Sequence, residues 1–227
     1  MDLTEYQLLY VQTVYNYFRE TLQWPTFRQV QGKILPTHRD FRVIEVAKSI
    51  EDNQAAHFYH NLDSPTTITL KEIHHLPEAE QDLADLLKVI RYSVEKYITE
   101  DKERVRVTSE EVSQKWHFDE TVIRKIFQLL GLTTGIIGSS SNSLDNKIWS
   151  FEVSDSAIDF QDLKSIDDYF ERLDERKKSY QASRSSQIAD SATIEKIAQA
   201  DPSDIKAIGV SALELSAGYY NEPLTQS

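Results

Sequence analysis

One order of segments occurs twice in this chain, and that repetition limits the folds open to it more than any single motif. A long amphipathic stretch, a short helix, a second helix and a β-rich hairpin are read from residues 3–70 and again from residues 78–153. In the first pass, Leu8, Val11, Val14, Tyr15 and Phe18 recur at three- and four-residue spacing between Leu3 and Leu22. Thr4 is placed to cap that helix, with acidic Glu5 in its first turn. Trp24-Pro25 breaks it, because a residue before proline avoids the α region. Thr26 then caps a short helix through Phe27, Val30 and Ile34. Pro36-Thr37 is a second break and cap, and a third helix runs from about His38 to Asp52. Around Asp63-Ser64-Pro65, the runs at Tyr59–Leu62 and Thr67–Leu70 read as two short strands.

The second pass opens on a helix from Glu78 to Thr99, with Leu83, Leu86, Leu87, Ile90 and Val94 on its apolar stripe. Thr108-Ser109-Glu110-Glu111 is a capping box that starts a short helix to Trp116. Asp119 caps the next helix, which buries Val122, Ile123, Ile126, Leu129 and Leu130, and Gly131 ends it as a left-handed C-cap. Thr133–Ile137 and Lys147–Val153 are the expected strands, and Gly138–Asn146 is the loop between them. Ser165 to Asp168 opens a further helix, and the Ser- and Ala-rich run from Gln181 to Pro202 reads as a linker. The expected fold is therefore mainly α with small β-hairpin wings (α+β). Two winged-helix units span 1–76 and 77–160 and pack together, followed by a connecting helix at 161–182 and a linker and helical tail at 183–227.

Composition removes several function classes. There is no Cys, so disulfides and thiolate metal sites are absent, and no apolar run approaches the ~20 residues that span a bilayer. The N-terminal stretch lacks the basic region of a secretory signal, and a cytoplasmic location is the expectation. Net charge is -12. Residues 1–70 hold 8 acids against 6 bases, whereas residues 136–227 hold 16 against 9. A polyanionic duplex is bound through basic surface, so the balance disfavours nucleic acid.

Catalytic motifs are missing. His57, His60, His74 and His75 could meet near the first hairpin, but no carboxylate stands at a ligand spacing, and no metal or cofactor is expected. Acid-x-Lys triplets at Glu100–Lys102, Asp145–Lys147 and Asp162–Lys164 are what a degenerate metal-dependent nuclease would retain, yet in a chain with 27% charged residues they arise by chance. What remains is two candidate recognition faces. The first carries Arg39, Arg42 and Lys48, with Arg28 and Lys33 on the preceding helix. The second carries Arg124, Lys125 and Gln128. Both are mixed in sign, and the loop Gly138–Asn146 carries Asp145 as its one charge.

The stretch "LTEYQLLYVQTVYNYFRE" followed by "WPTFRQV" resembles the LexA-type winged helix, which places a Pro-Thr pair before its second helix. The segment after "GKIL" departs from that family, lacking the Ser- and Asn-rich start of its base-reading helix. Over residues 3–180, "RDFRVIEVAKSI", "TITLKEIHHLPEAEQDLADLLKVIRYSVEKYI" and "SIDDYFERLDE" are similar to the N-terminal tandem winged-helix region of a group of uncharacterised bacterial proteins. In that group the region precedes variable effector or membrane domains, often in defence settings. The resemblance implies a non-catalytic sensing or adaptor module that meets a protein partner or effector domain. A membrane segment beyond the C-terminus and self-association through the last helix belong to the same expectation. A sequence-specific DNA-binding regulator using Arg39, Arg42 and Lys48 is the alternative.

Overall fold

Four threonines begin four helices in the same way. Thr4, Thr26, Thr69 and Thr108 each accept from the backbone N–H three residues on, and the Gln or Glu there bonds back to the threonine's own N–H. The computed structural model describes residues 3–50, 61–66, 68–100, 105–142 and 148–189, with 139–142 and 182–189 as backbone only. Helix α1 (Glu5–Thr21) ends where Leu22 turns left-handed at φ 56 and donates its N–H to the Phe18 carbonyl. Trp24 then stacks on Phe18, with ring centroids 4.1 Å apart, and fixes the joint before Pro25.

Helix α2 (Phe27–Ile34) starts against the chain that returns at residues 61–66. The Phe27 and Arg28 N–H groups, which a helix start leaves unpaired, donate to the Ser64 and Leu62 carbonyls, and Thr66 donates to Pro25. Thr26 and Pro65 form an isolated bridge, and among the described residues the first half has no other strand pairing. Of the expected strand at Thr67–Leu70, Thr69 and Leu70 are instead the cap and start of helix α4 (Leu70–Ile73), since Thr69 and Glu72 close a capping box, and Thr67 lies outside the described residues. Tyr59 lies outside the described residues.

Helix α3 (Val43–Ser49) is shorter than expected. Thr37 completes α2 rather than capping α3, its N–H and hydroxyl both donating to the Ile34 carbonyl. His38 to Phe41 form a turn in which Phe41 is buried edge-on to Tyr6. Arg42 is the N-cap and makes no side-chain cap bond.

After a 3-10 turn at Pro77–Ala79 comes helix α5 (Glu80–Glu100), then β1 (Arg106–Thr108), α6 (Ser109–Trp116), α7 (Glu120–Leu130), β2 (Ile137–Asn142) and β3 (Trp149–Val153). The three strands form an antiparallel sheet in the order β1-β3-β2. Val107 faces Phe151 and Ser140 faces Phe151 from the other side. β2 thus extends into Gly138–Asn142, which the sequence assigned to a loop. Gly131 closes α7 in a right-handed conformation at φ -61; among the described residues the left-handed glycine is Gly135, at φ 82.

Helix α8 begins at Ile166 and continues to Ala189, into the stretch expected to be a linker. Its Tyr169 hydroxyl accepts from the Thr134 N–H. Residues 1–173 form one compact unit and residues 174–227 a second. One apolar cluster fills the first unit, from Tyr10, Val14 and Phe18 through Leu86 and Ile90 to Phe151 and Tyr169. The protein is mainly helical with one small sheet. Among the described residues no helix is long and apolar enough to cross a membrane.

Candidate functional site

Helix α7 is the most clearly presented of the candidate faces, and its side chains divide sharply. Asp119 caps it through the Val122 N–H at 2.8 Å, and Glu120 and Thr121 are exposed in its first turn. Arg124, also exposed, lies 5.9 Å from the centroid of the Trp149 ring on β3. Gln128 is half-buried on the same side. Lys125 points the other way: its ammonium bonds Asp82, and only 14% of its side chain is accessible.

Asp82 gathers three partners from two further helices. The Tyr15 hydroxyl of α1 donates to its Oδ2 at 2.7 Å, Arg19 of α1 lies 3.3 Å from the same oxygen, and Lys125 of α7 takes Oδ1. An acid 7% exposed is costly unless paired and hydrogen-bonded, and here each carboxylate oxygen is engaged. Burial, and then the Asp82 bond, push the Tyr15 hydroxyl well above the usual tyrosine range, so it stays a donor. Sequence reasoning puts Lys125 on the outward face with Arg124 and Gln128 and misses Asp82, whose one signal is an acid placed next to the Leu83, Leu86 and Ile90 stripe.

A second cluster locks α5 to α6. Glu111 accepts from Lys96 at 2.7 and 3.0 Å and from the Tyr92 hydroxyl. Burial works to raise the Glu111 carboxyl, but the Lys96 and Tyr92 bonds outweigh it and hold the group below its ordinary value.

The first-half candidates are spread over α2, the turn that follows it and α3. Arg28 is tied to Asp63 at 2.6 Å, with both side chains 63% exposed. Lys33, Arg39 and Arg42 are exposed, on α2, in the turn and at the α3 cap respectively, and Lys48 is half-buried on α3. Exposed Asp40, held by the Tyr6 hydroxyl at 2.9 Å, and Glu45 stand among them. The exposed charges of this region therefore mix both signs.

His74 bonds Asp167 at 2.8 Å and packs against Phe170, while His57 and His60 lie outside the described residues. Among the described residues no three His, Asp or Glu side chains gather to hold a metal ion. Of the acid-x-Lys triplets, Asp162–Lys164 is described; Asp162 sits in a left-handed turn at φ 57 ahead of α8. A shallow cavity of ≈ 460 Å³ beside it is lined by Arg91, Glu95, Ile98 and Phe160. The Arg91 guanidinium there is spent on the Leu163 and Lys164 carbonyls. No family model, curated protein or solved structure matches the chain.

Proposed function

We propose that this protein is a non-catalytic sensing or adaptor module of two winged-helix units, which recognises a protein partner or couples to an effector. The order α5-β1-α6-α7-β2-β3 and the sheet order β1-β3-β2 support a winged helix in the second half. The observation that carries the protein-partner reading is the tip of α7. A helix entering a DNA groove reads base edges with its N-terminal residues, and this one offers Asp119 and Glu120 there. Its one inward base is neutralised by Asp82, which leaves the exposed Arg124 as the helix's single outward cation beside exposed Glu120.

Fluorescence anisotropy against mixed-sequence duplex DNA, at about 50 mM and about 200 mM salt, tests this reading. No binding at the lower salt is expected. Tight binding that collapses at the higher salt would overturn it. It would favour instead a DNA-binding regulator, for which the exposure of Lys33, Arg39 and Arg42 is the supporting observation. In that case Arg39→Glu with Arg42→Glu abolishes binding while the melting temperature holds.

A further inference from the structure

We propose that a groove of ≈ 490 Å³ between the turn at His74–Pro77, the start of α5 and the start of α8 binds a small amphipathic monoanion, a carboxylate on an apolar body. Its volume falls in the range of small-molecule sites, which pair apolar walls with a few placed polar groups. Leu76, Leu83, Leu87 and Ile166 supply the walls, with Ala84 exposed between them. The charged groups at the rim are unequal. Asp167 is taken by His74 at 2.8 Å, and Asp168, just beyond the rim, accepts from Arg172 at 2.9 Å and from the Lys164 N–H at 2.9 Å. The Lys164 ammonium lines the groove; it lies within ion-pair distance of no carboxylate among the described residues, although its charge helps hold the Asp168 carboxyl below its ordinary value. Glu80, exposed across the groove at the start of α5, repels a second negative charge and so selects a single head group placed at Lys164.

The site shares no residue with α3 or α7, so it stands or falls apart from the partner reading above. Calorimetric titration of the full chain with decanoate, and with decanol as the uncharged control, tests it. Saturable decanoate binding of unit stoichiometry is expected. Ala84→Trp fills the groove and abolishes it, while Lys164→Glu weakens decanoate about tenfold and leaves decanol unchanged. Glu80→Gln tightens decanoate. The two charge variants lie on exposed positions and keep the test valid should Ala84→Trp misfold. The inference is overturned by absence of saturable decanoate binding, by binding that survives Ala84→Trp in a folded protein, or by decanol binding as tightly as decanoate with Lys164→Glu inert.

Discussion

Asp82 sits where one acid must answer two bases and a phenol, and removing it strands more than it removes. Asp82→Ala leaves the Lys125 ammonium, 14% accessible, facing Arg19 with no counter-charge, and leaves the Tyr15 hydroxyl without its acceptor. Breaking a buried pair from one side costs about 3–5 kcal/mol, and urea denaturation of Asp82→Ala should show a loss of that order. Lys125→Met should cost clearly less, since Arg19 and Tyr15 still serve the carboxylate and the methionine stem packs where the lysine stem did. Equal losses for the two variants would show that Arg19 contributes nothing. Lys125 reads as an outward-facing base and Asp82 carries no sign of its role, so their pairing is not legible. Forty-three positions separate them (125 minus 82), and only the packing of α5 on α7 brings them together. The same holds for Lys125 as a recognition residue: residue type placed it on the right helix, and burial turned it to the wrong face.

Helix starts were the most readable elements, because a cap is a local arrangement of four residues. Thr4, Thr26, Thr108 and Asp119 all cap where the sequence placed them. The fourth box, Thr69-Leu70-Lys71-Glu72, was equally local but was outweighed by the β-branched run Thr67-Ile68-Thr69, which reads as a strand. The two readings predict opposite responses to one substitution. Thr69→Val keeps the β-branched shape and deletes the capping hydroxyl, so it should cost about 1 kcal/mol in chemical denaturation; a strand would tolerate or favour it. The end of α3 toward residue 38 was misread for a different reason. Phe41 has a buried apolar side chain at helical spacing, but its position is set by a turn closed on His38 and by the edge contact with Tyr6, neither of which periodicity reports. The Ser- and Ala-rich continuation of α8 shows the converse, since a stretch poor in large apolar groups still helices well when alanine is present.

The sequence reads as two packed halves; residues 1–173 form one compact unit filled by a single apolar cluster. A single core implies one cooperative transition for this unit. Trp24 reports on the first half, and Trp116 and Trp149 report on the second. A variant keeping Trp24 alone and one keeping Trp149 alone, with Phe at the other two sites, serve as separate probes. Each should give a urea curve whose fluorescence midpoint coincides with its own circular-dichroism midpoint. Separated midpoints would mean that the halves unfold independently. The Asp82 junction adds something mechanical to this picture. One carboxylate of α5 is tied to α1 and to α7 at once, which gives a force applied to α7 a direct side-chain route to the N-terminal helix. A single side chain thus serves as a rivet through three helices that lie far apart in the sequence.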